Sequence, residues 1–203
     1  MGLSRTLTTT EKGTLTITSA NMLASKFKEG PLSIILLRNY NTGFLIKSYY
    51  QIYKVVYGFK TPQIVVTRSN SDFNKLHEKN IGMSILRRNE KEESISFVPM
   101  PPGSLYIGNL AFGNWRLANS GQKVWTFHHA YRNFYRLFGW GDFRPSIKFY
   151  EKLLVYQNQG MPFYGNKNEF GTDGTITRKE FSNFFLEHKK ERKSFLELLK
   201  KLL

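Results

Sequence analysis

The chain has 203 residues, with 30 Lys and Arg against 15 Asp and Glu, a formal net charge of +15, and no cysteine. The missing cysteines exclude disulfide frameworks, thiolate metal sites and a cysteine nucleophile together. With 40% hydrophobic and 15% aromatic residues, the composition is that of a packed globule rather than a disordered polycation.

The charge surplus has no tail: it divides as +7 over residues 1–98 and +8 over residues 99–203. Any anion-binding face must therefore be gathered by folding. A field of this sign favours nucleic acid, an acidic glycan, an acidic membrane surface or an acidic protein. The competing reading is a solvated basic surface without a special partner. The first residues, MGLSRTLTTTEKG, are polar and lack an apolar h-region, so no secretory signal is visible. A cytoplasmic location is the default expectation, and a mature exported form is compatible with the same sequence. Gly2 with Thr6 fits the short N-myristoylation pattern. Ser94–Trp115, the longest uncharged stretch, contains Pro99, Pro101 and Pro102 and cannot form a membrane-spanning helix.

The first half reads as strands alternating with short helices. Thr14–Ser19 alternates with period two, as a half-buried strand does. Ser19 can cap a helix over Ala20–Lys28, stopped by Gly30 and Pro31. Ser33–Leu37 suits a buried strand. Phe44–Tyr57 fits either period, and its β-branched and aromatic content favours a strand. Gln63–Thr67 and Met83–Leu86 are further strands, separated by a helical turn near Asp72–Lys79, and Ile95–Val98 closes this half. Pro99-Met100-Pro101-Pro102-Gly103 then forms an extended connector. Beyond it lie 21 of the 31 aromatic residues, including all three tryptophans. This shift places a subdomain boundary between residues 98 and 99, or a crossover within one continuous domain.

Asn114–Phe127 is the best hairpin candidate, with Asn119-Ser120-Gly121 at its turn. Phe127, Tyr131, Phe134 and Phe138 have helical spacing, which predicts a helix capped by Thr126 and ended by Gly139. A second helix is predicted over Ser146–Tyr156, with Ile147, Tyr150 and Leu154 facing inward. A long amphipathic helix is predicted from about Arg178 to Leu203. Its leucine-rich end, Phe195–Leu203, could dock on the core, lie on an acidic membrane or pair with a second copy. The fold class is thus α+β, β-rich first and more helical after residue 99.

Glu169–Glu180 resembles half of an EF-hand calcium loop. Asp173, Gly174, Ile176 and Glu180 match its fifth, sixth, eighth and twelfth positions, while Glu169 and Gly171 depart from its first and third. The preferred reading is a helix start, with Thr177 and Glu180 at capping-box spacing and Ile176 and Phe181 as a hydrophobic staple. Neither a metal nor a cofactor is expected. No phosphate-binding glycine loop, nucleophile elbow, zinc-protease helix or dinucleotide fingerprint occurs. The carboxylates Asp142, Glu151, Glu169 and Asp173 are read as solvated ion-pair partners rather than glycosidase acids. His128 or His129 with Asp142 is the weak candidate for a general base and its orienter.

The stronger signal is arginine interleaved with aromatic residues from Trp115 to Arg144. Arg116, Arg132, Arg136 and Arg144 are the anion-binding candidates, and Trp115, Trp125 and Trp140 the aromatic platform. Lys189, Lys190, Arg192 and Lys193 would add a second basic patch. The expected function is a non-catalytic binding or assembly protein for an anionic polymer (nucleic acid or acidic glycan) or an acidic protein. The alternatives are an envelope, filament or particle component assembling through the C-terminal helix, and a hydrolase using His128 or His129.

Overall fold

The computed structural model describes residues 14–58, 60–89 and 95–180. Its centre is a five-stranded sheet of order β3-β2-β1-β4-β5, formed by β1 (Leu32–Thr42), β2 (Ser48–Tyr57), β3 (Gln63–Ser69), β4 (Ser84–Arg88) and β5 (Ile95–Ser96). The pairings are antiparallel: short connections join β1 to β2, β2 to β3 and β4 to β5, while β4 returns across the sheet to lie beside β1. Mixed α+β architecture is therefore established. All five strands come from the first half, where β-branched residues are dense.

Two helices pack on one face. Helix α1 (Ala20–Lys26) starts at Ser19, whose hydroxyl accepts from the Met22 amide at 3.2 Å. Helix α2 (Ser71–Leu76) starts at Asn70, whose side chain accepts from the Phe73 amide at 2.8 Å. Leu23, Phe27 and Phe73 meet Leu32, Ile34, Leu36, Tyr53, Val55 and Ile85 beneath the sheet. A polar seam crosses the same layer. Gln51, fully buried, donates to Asn39 Oδ1 and the Phe73 carbonyl and accepts from the Tyr53 hydroxyl. Asn39 in turn donates to the Asn74 carbonyl at 2.6 Å. These bonds require one register, because a slipped strand would leave the buried amides without partners.

The opposite face is covered by the second half of the chain. Ile35, Val56 and Met83 belong to the same buried cluster as Trp125, Phe127, Phe134, Phe138, Trp140, Phe149, Phe163 and Phe170. The core thus runs across the proline connector, and the two halves share it. The expected hairpin is present as β6 (Gly113–Leu117) and β7 (Lys123–Phe127), with Trp115 opposite Trp125.

Several elements differ from the sequence reading. Thr14–Ser19 is only a single parallel bridge, Thr16 to Arg68, along the outer edge of β3. The strand expected from Phe44 begins at Ser48, leaving Phe44–Ile46 in a turn. No helix runs from Phe127 to Phe138. Phe127 pairs with Gly113 in the hairpin, His128 is extended, and a 3-10 turn (His129–Tyr131) precedes the short α3 (Phe134–Leu137). Strand pairing claims Phe127, so the four-residue spacing to Tyr131 is a coincidence of two elements. Gly139 does end α3, at φ +63°.

Helix α4 (Ile147–Asn158) lies where the sequence predicts a helix over Ser146–Tyr156, with Ser146 as its cap rather than its first residue, and Phe149 and Leu153 are its buried residues. Its inward face is rotated from the expected Ile147, Tyr150 and Leu154, because the wholly apolar Phe149 and Leu153 enter the aromatic cluster while Tyr150 packs at its margin. Helix α5 spans Thr175–Glu180, beginning two residues before the expected cap Thr177. The carbonyls of Asn168 and Glu169 accept from the Thr175 and Ile176 amides, so backbone rather than a capping box satisfies that end. The long terminal helix, with Phe181, Phe195–Leu203 and the four cations at 189–193, otherwise lies outside the described residues.

Candidate anion-binding face

The four candidate arginines have different local environments. Arg144 lies over the Tyr135 ring, 3.5 Å from its centroid, and donates to the carbonyls of Gly141 and Phe143 at 2.7 and 2.8 Å. It clamps the turn between α3 and α4. Arg116 donates to Asn114 Oδ1 at 3.0 Å on the exposed hairpin, and Arg132 reaches His129 Nε2 at 2.6 Å. Arg136 is exposed and lines a cleft of about 460 Å³ with Lys54, Lys60 and Asn133.

The tryptophans divide similarly. Trp125 and Trp140 are 0% and 1% exposed, so neither presents a ring face to a ligand. Trp115 is half-buried, packed against Trp125 and Tyr150. These rings serve the core, and the aromatic platform expected from sequence is reduced to one partly covered tryptophan.

The hydrolase constellation is also not assembled. His128 Nε2 lies 3.0 Å from the Leu110 carbonyl, His129 faces Arg132, and the Asp142 carboxylate is 3.7 Å from Lys179 Nζ. Neither ring is hydrogen-bonded to Asp142. The calcium-loop resemblance fares no better. Glu169 accepts from the Lys167 amide, Asp173 pairs with Arg178, and no group of three or more potential ligands could hold a metal among the described residues.

A different surface combines the exposed Arg68 with half-buried cations and aromatic rings. From Gly30 to Ser71 the sequence contains no Asp or Glu, and this stretch supplies the whole β1-β2-β3 portion of the sheet. Antiparallel register places side chains in rows on the face opposite α1 and α2. One row is Tyr40, Tyr50 and Arg68, and the next is Arg38, Ile52 and Val66. Lys54 and Ile64 form the third. Tyr40 and Tyr50 are stacked at 5.3 Å and 18°, and the Arg38 guanidinium lies 4.7 Å from the Tyr40 ring centroid. Arg68 donates to Ser48 Oγ at 3.4 Å, which holds it along the same edge.

The aromatic cluster stops short of this area: Ile64 and Val66 remain 41% exposed. Lys54 marks the boundary. Its amino group donates to the Leu137 carbonyl at 3.1 Å, and burial pushes its pKa below the ordinary lysine value. From there the face continues into the cleft beside Arg136. Lys60 at its rim is paired with Glu29, which tethers one of its three cations. The open rows offer guanidinium donors for phosphate or carboxylate, and flat rings and branched apolar groups for a base or sugar face.

Sequence reasoning chose the region of highest arginine and aromatic density and missed this one. The available signal was the stretch without carboxylates, which the overall net charge conceals. Comparison with known protein families, with curated proteins and with solved structures finds no match for this chain.

Proposed function

We propose that the chain is a non-catalytic binding protein for an anionic polymer, laid across the β1-β2-β3 face, with single-stranded nucleic acid as its best-fitting class. The observation carrying this reading is the union of an acid-free sheet segment with a half-buried tyrosine pair beside the exposed Arg68. Phosphates would meet Arg38, Arg68 and the cleft cations, while a base packs beside Tyr50. Such a surface needs no bond-making group. The sequence from Arg178 onward, read as an amphipathic helix, would add Lys189, Lys190, Arg192 and Lys193 to the field and a leucine stripe for self-association.

Fluorescence anisotropy with a labelled oligouridylate tests the proposal. Binding should weaken steeply between about 50 and 200 mM salt, and Arg68→Ala should reduce the log–log salt slope by about 0.7 for the phosphate contact it removes. Tyr50→Ala should lower affinity roughly tenfold while keeping the slope, because stacking is not ionic. Arg116→Ala, on the distant hairpin, should behave as the parent. Equal binding by the Arg68 and Tyr50 variants would overturn the assignment of this face.

A further inference from the structure

The turn between β1 and β2 has no structural occupation for its side chains. Phe44, Leu45 and Ile46 are 76%, 91% and 85% exposed, three consecutive large apolar residues at the tip of one hairpin. A chain folding only for its own core has no reason to place them there. The tip is nevertheless held in a tight geometry. Gly43 has φ +92°, and a Cβ built on it would lie 2.1 Å from the Ile46 carbonyl oxygen, so only glycine closes this loop without strain.

Behind the tip the chemistry changes in order. Lys47 follows the apolar triplet directly, and Tyr49 stands one residue inside β2. The stacked Tyr40 and Tyr50 lie two residue pairs behind the strand ends Thr42 and Ser48, about 7 Å at ~3.4 Å per residue. Arg38 and Arg68 lie on the same face, and no carboxylate occurs in the segment. Apolar tip, then cation, then tyrosine belt is the sequence of environments across the boundary between acyl chains and headgroups. The depth matches the roughly 5–10 Å to which interfacial groups enter that boundary. The absence of carboxylates matches an anionic surface rather than a neutral one.

We infer that the Phe44–Ile46 tip docks the protein on an anionic lipid bilayer, entering the interface while Lys47 and the neighbouring arginines meet the headgroups. This goes beyond the polymer-binding reading: the apolar anchor and Lys47 lie outside the rows assigned to nucleic acid, while Arg38 and Arg68 would serve both surfaces. No helix among the described residues is long and apolar enough to cross a membrane.

The test is sedimentation of the full chain with vesicles of phosphatidylcholine alone or with about 30 mol% phosphatidylserine. Strong partitioning is expected only to the anionic vesicles. The combined substitution Phe44→Ser, Leu45→Ser and Ile46→Ser should lower it at least tenfold, and Lys47→Ala about fivefold. Neither should change the urea midpoint, because these side chains contribute little to the core. The triple variant should keep the oligouridylate affinity of the parent, which separates failure of this inference from failure of the polymer reading. A Phe44→Trp probe should be quenched by brominated lipid. Parent-like vesicle binding by the triple variant would overturn the inference. So would a tip-dependent dimer that ignores vesicles, which would assign the triplet to a second copy.

Discussion

Trp140→Ala should lower the unfolding free energy by about 3–5 kcal/mol, the range for removing a large aromatic side chain from a packed interior. The ring is 1% exposed and stacks on Phe127 at 5.3 Å and 26°. It also contacts Tyr135, Phe138 and Phe143. Its Nε1 donates to the Pro102 carbonyl at 2.8 Å, which pins the proline connector against the second half. A loss of this size consumes much of the roughly 5–15 kcal/mol of a typical domain. Trp140→Phe separates the two contributions, keeping most of the ring contacts but leaving the Pro102 carbonyl without its donor. That variant should lose about 1–3 kcal/mol. Urea unfolding followed by circular dichroism measures both. Because the shared cluster includes Ile35, Val56 and Met83 of the sheet, both halves should unfold in one transition. A Trp140→Ala loss below about 1 kcal/mol would contradict the packing described.

Acid should destabilise the protein through His77. Its side chain is buried, with Nδ1 3.1 Å from the Asn80 amide and its ring edge-on to Phe73 at 4.7 Å. Burial lowers its pKa from 6.5 to about 4. The folded state therefore holds the imidazole neutral where the unfolded chain protonates it. The stabilisation is fully present above pH 6.5 and is lost as pH falls through the window from 6.5 to about 4. A shift of this size corresponds to roughly 3 kcal/mol at full effect. His77→Phe keeps an aromatic ring against Phe73 and cannot titrate. The difference in urea midpoint between pH 7 and pH 4.5 should thus be markedly smaller for His77→Phe than for the parent. Identical pH profiles would show that His77 does not carry the effect.

The fold was largely legible where one local cause acted alone. Ser19 caps its helix as its position suggests, and Asn119-Ser120-Gly121 turns the expected hairpin. Where two causes competed, tertiary packing decided. Tyr131, Phe134 and Phe138 have helical spacing, but Phe127 is already committed to pairing with Gly113. The same conflict hid the site. Aromatic density between Trp115 and Arg144 signals a core as readily as a ligand platform, and only burial separates the two. The Tyr40–Tyr50 pair became visible only through register, because ten residues separate the two tyrosines in the chain.

The outer rim of β3 has a consequence for handling and evolution alike. Thr16 bridges it only at Arg68, so on the side away from β2 the backbone over Gln63–Thr67 has no neighbouring strand among the described residues, beside the half-exposed Ile64 and Val66. Such a rim invites intermolecular strand addition. Mutual repulsion among the nearby ammonium and guanidinium groups opposes it, over a reach that shrinks from about 10 Å in 0.1 M salt to about 3 Å in 1 M. Colloidal solubility and the proposed ligand capture would therefore draw on the same cations. Concentrated brine should weaken both together, and exchanging these cations for neutral groups would expose the chain to fibrillar association.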